Sequence, residues 1–407
     1  MRIICRWTGL LLALALSACA STPTPPPTPP KPPLTILVSI DGFRADYLDR
    51  GETPVLGALA ADGARGTMTP SFPSLTFPNH YTLVTGLRPD HHGVVGNAME
   101  DPGIEGAFRS SDAGTAGDAR WWNGAAPLWV SAERQGVRSA VMLWPGSQAD
   151  IRGVRPSRWL PYDKAMTSAR RVDGVLSWID DRDLKPGLAA LYLDVVDIEG
   201  HHHGPDSPQL HAATVEVDAA IGRLVEGLKA RGLWEGANLV IVSDHGMADQ
   251  PLENTVVLDD LVDPAKLRLI GPGALVGVRP VPGAEAVVTA ALTRPHPHMT
   301  CWEKARIPAR FHYGRNPRVP PIVCLAQRGW SINVATAKAR TDVATHGYDP
   351  ADPTMRAVFV AHGPAFRRGV VLPTFDNVDI YPLMTRLLGV QGEPGDGRLG
   401  PVKAALR

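Results

Sequence analysis

The chain has 407 residues, 44% of them apolar, enough to fill the core of one large domain or two ordinary ones. Lysine and arginine together number 41, as do aspartate and glutamate, so no net field draws the protein to a nucleic acid polymer or an anionic lipid surface. Charge-driven coating of a polyanion is thereby excluded, and recruitment of any charged ligand falls to local groups.

The first residues, "MRIICRWTGLLLALALSACA", combine two arginines, a short apolar run from about Thr8 to Leu16, and then small residues. A run that short does not span a bilayer, and its layout is that of a secretory signal over residues 1–18. Leu16-Ser17-Ala18-Cys19 resembles a bacterial lipobox, which makes Cys19 the expected lipidation site; ordinary cleavage beside an incidental cysteine is the alternative. Several acyl chains on that cysteine would anchor firmly where one would not. Alanine rather than aspartate follows Cys19, which leans toward the outer membrane by analogy with lipoprotein sorting. The expectation is an exported, periplasmic protein that meets the membrane only through its lipid. The remainder of 19–33, "STPTPPPTPPKPP", packs no core and reads as a semi-rigid polyproline spacer. Export leaves Cys301 and Cys324 as a pair in an oxidising compartment, where a disulfide is expected.

From residue 34 to about 400 the chain reads as one domain. "LTILVSIDG" (Leu34 to Gly42) is the continuous apolar run of a strand buried on both faces. "TPVLGALAADG" follows as a helix, with Thr53 as N-cap, Pro54 at the first helical position and Gly63 as stop. The alternation recurs in "RSAVMLW" and the helical "DKAMTSARRVDGVLSWIDD", then in "LAALYLDVVD" and "SPQLHAATVEVDAAIGRLVEGLKARG". "ANLVIVSDHG" and "RAVFVAHG" are further strands, the latter before the helical "DNVDIYPLMTRLLG". The pattern predicts an α/β fold, a doubly wound, mostly parallel sheet flanked by helices. Between residues 251 and 342 it lapses into short strands and prolines, which marks an inserted subdomain.

Three apolar strands end in, or are closely followed by, aspartate: Asp41, Asp197 and Asp244. Ligands of open α/β sheets bind at the carboxyl ends of the strands, and three carboxylates gathered there repel unless a cation neutralises them. Histidines accompany them: His201 four residues after Asp197, His245 directly after Asp244, and His346 downstream. Carboxylates and imidazoles without thiolates suit catalytic zinc, with manganese or iron as alternatives. Six ligands are too many for one open site but serve two ions, a recurring device for phosphoryl transfer. In "PSLTFPNHYTLVTG", Thr76 stands where it could cap a helix beginning at Pro78. It could equally present a hydroxyl to an anion at that helix start, and metal coordination would make its alkoxide accessible. From these residues alone the cap is the better reading.

Taken together, "SIDGFRADYL", "TPSFPSLTFPNHYTLVTGLRPDHHGVVGN", "LWPGS", "DIEGHHHGPDS", "VSDHGM", "ARFHYGRNPRVPP", "THGYDP" and "FVAHGPAF" resemble the nucleotide pyrophosphatase/phosphodiesterase family of the alkaline phosphatase superfamily. The resemblance runs from about Leu34 to Val390. It implies an alkaline phosphatase-like fold and two Zn²⁺ ions, with Thr76 as nucleophile and as a metal ligand. Asp41, Asp244 and His245 would hold the zinc that activates Thr76; Asp197, His201 and His346 would hold the zinc that activates water. Asn97 would hydrogen-bond the phosphoryl oxygen, with the Phe77 backbone N–H as a further donor. Phe77, Tyr162 and Tyr192 would grip a nucleotide base, although Tyr192, inside a strand, could simply be core. Val195-Val196 replace acidic residues found in many relatives, and His202 and His203 extend the histidine run without an assigned metal.

The implied reaction is hydrolysis of nucleotide phosphodiester and phosphoanhydride bonds to nucleoside monophosphates through a phosphothreonyl intermediate. A phosphodiesterase acting on choline-type lipid headgroups is the first alternative, a phosphomonoesterase the next, and a non-catalytic surface binding protein represents another class. A monomer acting on a small-molecule nucleotide, with no nucleic acid polymer as partner, is the expected state.

Overall fold

The computed structural model describes residues 33–336 and 340–407. The expected export signal over 1–18, the lipidated Cys19 and all but the last residue of the 19–33 linker lie outside the described residues. Among the described residues no helix is long and apolar enough to cross a membrane.

Among the described residues the main sheet has nine strands, numbered here in chain order: β1 (Thr35–Ile40), β2 (Ala64–Thr69), β3 (Ser139–Met142), β4 (Arg158–Trp159), β5 (Leu188–Leu193), β6 (Asn238–Val242), β7 (Ala357–His362), β8 (Val370–Val371) and β9 (Phe375–Asp376). They lie side by side as β8-β2-β7-β6-β1-β5-β3-β4, with β9 also against β2. The helices that matter below are α1 (Pro54–Ala61), α2 (Thr76–Thr85), α3 (Ser168–Asp180), α4 (Val195–His203), α5 (Pro208–Ala230) and α6 (Ile380–Leu388).

Every residue of β1 and β5 is buried, because side chains alternate between two covered faces. Leu37 packs on one face with Leu83 of α2 and Met384 of α6. Ile36, Val38 and Ile40 pack on the other with Leu59 of α1, Val175 of α3 and Ile221 of α5. Helices thus cover both sides, the doubly wound arrangement expected from the alternation. Strand β7 departs from it by running antiparallel to both β2 and β6; the other pairings of this sheet are parallel.

The segment after Gln250 builds a separate antiparallel sheet, in the order Leu267–Ile270, Leu275–Pro280, Ile322–Ala326, Met299–Glu303, over its own apolar cluster. Cys301 and Cys324 are direct cross-strand partners, Cα atoms 4.0 Å apart, and are joined by a disulfide. The stem of this segment is the antiparallel pair Ala248–Asp249 and Ala344–Thr345.

Several local expectations are overturned. Thr53 makes no side-chain cap; the first N–H groups of α1, from Val55 and Leu56, donate instead to the Asp218 carboxylate at 3.0 and 2.8 Å. A carboxylate accepting two N–H groups at the positive end of a helix outcompetes a hydroxyl. Helix α3 starts only at Ser168, where Thr167 caps it through the Arg170 N–H. Asp197 and His201 lie on a helix, α4, that the strand-end reading did not include, so their four-residue spacing places them on one helix face.

Candidate active site

Strands β1, β5 and β6 are mutually parallel, with Ile40 level with Leu193 and Ser39 level with Val242. Their carboxyl ends therefore coincide, and Asp41, helix α4 and Asp244 all start from one edge. His346 arrives at the same place directly after the stem strand Ala344–Thr345. Ligand atoms of Asp197, His201 and His346 lie within 4.8 Å of one another, as do those of Asp41, Asp197 and His245, and those of Asp41, His80 and Asp244. His245 Nε2 stands 2.9 Å from Asp244 Oδ2 and 3.4 Å from Asp41 Oδ1, while His201 Nε2 and His346 Nε2 stand 3.6 and 3.7 Å from Asp197 Oδ1. The six metal-ligand candidates read from the sequence form one continuous cluster.

The donor set fits divalent cations. Asp41 Oδ1, Asp197 Oδ1 and Asp244 Oδ2 are buried without a hydrogen-bond partner, and orphaned buried carboxylate oxygens are costly unless an ion completes them. Each histidine is pre-set for ligation: Nδ1 of His201, His346 and His245 lies 2.9 Å from the carbonyl of Ala344, Ser74 and Gly246 respectively. A carbonyl only accepts, so the proton sits on Nδ1 and Nε2 offers its lone pair. The electrostatics carry the same strain. Burial, followed by the charges of Asp244 and Asp197, holds the Asp41 carboxyl well above the usual range. Burial also raises Asp197. It pushes Asp244 upward as well, but His245 and His80 outweigh it and bring Asp244 well below the usual value. Burial, with His245 and His201 nearby, drives His346 far down, toward the neutral imidazole that a metal requires.

Thr76 is the first residue of α2, with Leu75 at the N-cap position, and it makes no side-chain cap. Its Oγ1 lies 3.2 Å from His245 Nε2, which overturns the cap reading and turns the hydroxyl into the cluster. The Phe77 N–H is committed: it donates to Asn97 Oδ1 at 2.9 Å. It is therefore not a free donor for a phosphoryl oxygen; it fixes Asn97 with its Nδ2 as the remaining donor.

Two clefts open beside this centre. One, of about 430 Å³, is lined by Phe77, Trp144, Tyr162, Lys164 and Tyr192 among others. Tyr162 is half exposed, whereas Tyr192 is buried and its hydroxyl donates to Asp41 Oδ2 at 2.5 Å. Tyr192 thus orients a ligand candidate rather than offering a free ring. The other cleft, of about 270 Å³, is lined by Asn97, His201, His346 and the Ile270 to Leu275 turn of the inserted segment.

The profile described as Type I phosphodiesterase / nucleotide pyrophosphatase matches residues 35–349. The chain belongs to this family. It is 36% identical over 376 residues to the bis(5'-adenosyl)-triphosphatase enpp4 of Xenopus laevis, covering 92% of this chain and 82% of that one. It is likewise 36% identical to human ectonucleotide pyrophosphatase/phosphodiesterase family member 5, covering 91% and 77%. The solved structure of an inactive threonine-to-alanine variant of murine ectonucleotide pyrophosphatase/phosphodiesterase 5, in complex with AMP, superposes with a TM-score of 0.88 at 34% identity, over 92% of this chain and all of that one. The main sheet and its flanking helices are accordingly the alkaline phosphatase-like fold of this hydrolase family.

Sequence reasoning missed His80 in this family member. It sits four residues after Thr76 on α2, fully buried. Its Nδ1 faces the Thr76 carbonyl at 2.9 Å and Asp244 Oδ2 at 3.2 Å, and its Nε2 meets Ser39 Oγ at 2.9 Å. With Nδ1 on the Thr76 carbonyl and Nε2 on Ser39, His80 ties the helix start to β1 and stands against Asp244. The signal was its helical spacing from Thr76, legible only once α2 is known to begin there.

Proposed function

We propose that the protein hydrolyses nucleotide phosphodiesters and phosphoanhydrides to nucleoside monophosphates through a phosphothreonyl intermediate. The observation that carries this reading is Thr76 Oγ1 turned into a buried cluster of orphaned carboxylate oxygens and pre-set imidazoles. Asp41, Asp244 and His245 would hold one divalent ion and Asp197, His201 and His346 a second, zinc being favoured by the ligand chemistry. Bound there, such ions would supply Lewis-acid charge neutralisation and a lowered pKa for a nearby hydroxyl.

The chain's own residues supply position. Thr76 Oγ1 forms a bond to phosphorus as the bond to the leaving oxygen breaks, the hydroxyl proton having passed to solvent. Water then cleaves the Thr76–phosphorus ester, restoring the hydroxyl and releasing the nucleoside monophosphate. Asn97 Nδ2 donates to a non-bridging oxygen, a contact whose loss typically costs about 10²- to 10³-fold in rate. The aromatic cleft beside Phe77 suits a flat base, since stacking is worth about 1–3 kcal/mol and tolerates any base. Its lining contains a lysine and no carboxylate, which disfavours a quaternary ammonium headgroup. The inactivity of the murine relative's threonine-to-alanine variant is what an obligate threonine nucleophile produces. Thr76→Ala should abolish turnover of a p-nitrophenyl nucleotide ester while leaving the metal content, measured by elemental analysis, at two ions per chain. Near-normal turnover would refute the covalent route.

A further inference from the structure

We infer that Arg171 and Asp194 are positioning residues that hold the Tyr162 ring, one wall of the aromatic cleft, at a fixed offset from the helix carrying Asp197 and His201. The inference rests on the nucleotide reading above and deepens it.

Tyr162 belongs to an exposed connection between β4 and α3, in which Pro161, Asp163 and Lys164 also face solvent. A half-exposed ring on such a segment has little packing to fix it, yet its hydroxyl donates to Asp194 Oδ2 at 2.7 Å. Asp194 is 8% exposed and occupies the N-cap position of α4, three residues ahead of Asp197. That carboxylate is held in turn by Arg171 of α3, a guanidinium only 1% exposed. Arg171 Nη1 lies 3.0 Å from Asp194 Oδ1 and Nη2 3.1 Å from Oδ2, a two-pronged geometry that fixes the carboxylate plane. Two further donors of Arg171 are used: Nε reaches the Met166 carbonyl at 2.8 Å and Nη1 the Tyr192 carbonyl at 3.0 Å. One buried cation therefore ties together the connection that carries Tyr162, the end of β5 and the start of α4.

An arginine this buried is expensive to desolvate and is held only where its partners are satisfied. Stability alone would be served as well by an apolar side chain of the same volume. What the ionic version adds is a charged acceptor aimed at the cleft wall, and Tyr162 is the group that uses it. The distance from stacked base to reacting phosphorus is then set by the same helix that positions Asp197 and His201. Reaction rates respond steeply to displacements of about 1 Å.

The test compares two esters with one leaving group, thymidine 5'-monophosphate p-nitrophenyl ester and methyl p-nitrophenyl phosphate, the second having no base. Tyr162→Phe keeps the ring and deletes the latch. It should lower the ratio of kcat/KM for the nucleotide ester to that for the methyl ester about tenfold, the size expected for a lost hydrogen bond to a charged acceptor, and the fall should lie in the nucleotide KM. Asp194→Asn, which keeps an acceptor without the charge, should lower the ratio partway, and Tyr162→Phe on top of it should add less than it does alone. A ratio unchanged by Tyr162→Phe, or a parallel fall for both esters, would overturn the latch while leaving the nucleotide function standing. An unaltered enzyme that treats both esters alike would overturn the base cleft and the latch with it. Tyr162→Phe decides the matter alone where Asp194→Asn fails to fold.

Discussion

His92 is kept neutral by its burial. The Val94 N–H donates to its Nδ1 at 3.1 Å, so the ring proton sits on Nε2, which faces Thr82 Oγ1 at 3.1 Å and the Pro78 carbonyl at 3.2 Å. The ring is fully buried, and burial pushes its pKa down to about 3 from 6.5. As pH falls the unfolded chain takes up this proton first. The contribution is therefore whole above about 6.5 and drains away between there and about 3. At pH 5 the loss should be about 2 kcal/mol. Urea unfolding of the wild type and of His92→Gln at pH 7 and pH 5 checks this: the variant should show a flatter acid limb, and identical pH dependence in both would contradict the assignment. The same contrast between side-chain chemistry and surroundings explains Thr76. From local residues it looked like a helix cap, and only the tertiary approach of His245, far along the chain, shows where the hydroxyl points.

Between elements, the junction of β1 with α4 is a close one. Gly42 follows Asp41 with φ +68°, a left-handed conformation in which a Cβ would stand 3.0 Å from Asp197 Cα and 3.2 Å from its Oδ1. Gly42→Ala would combine left-handed strain of roughly 1–2 kcal/mol with displacement of Asp197. The expected result is about a 10²-fold loss of kcat/KM together with a lower melting temperature. Activity within a few-fold of normal would show that the contact relaxes freely. Such junctions explain what was legible in the sequence and what was not. Asp41 and Asp244 could be read directly, because an apolar run ending in aspartate marks a strand end whatever surrounds it. Asp197 was recognised as following a strand, but its helix was not read, since "VVDIEGHHH" contains a glycine and β-branched residues that weaken the helical signal. His80 was passed over because its meaning depends on Ser39 and Asp244, neither of them near it in sequence. The capping of α1 by Asp218 instead of Thr53 was hidden for the same reason.

For the whole molecule, the ligand candidates come from the end of β1, from α4, from the turn after β6 and from the far side of the inserted segment, so ions bound among them would cross-link distant parts of the chain. Chelation should therefore lower the thermal midpoint as well as activity. At an ion concentration of 100 times Kd the lost stabilisation is about 2.7 kcal/mol per site, and adding zinc back should restore it in a calorimetric scan; a midpoint indifferent to chelator would exclude this cross-linking role. The overall α/β architecture was readable because buried parallel strands announce themselves as unbroken apolar runs. The antiparallel direction of β7 was not, because strand polarity leaves no mark on composition. The stem of the inserted segment has a longer reach. Gln250 donates to the Val343 carbonyl at 2.7 Å, and Val343 donates to that of His201 at 2.9 Å, so entry and exit of the insertion are pinned together just behind His245 and just before His346. Beyond that clasp the insertion is tied to the main domain again, by Asp90, which accepts the N–H groups of Gly314 and Asn316, and by Arg318, which donates to Asp101 and to the Gly93 carbonyl, so room to vary lies in its exposed turns. Drift in the Ile270 to Leu275 turn, which lines one cleft, would alter which molecules are admitted while the reacting groups stay where they are.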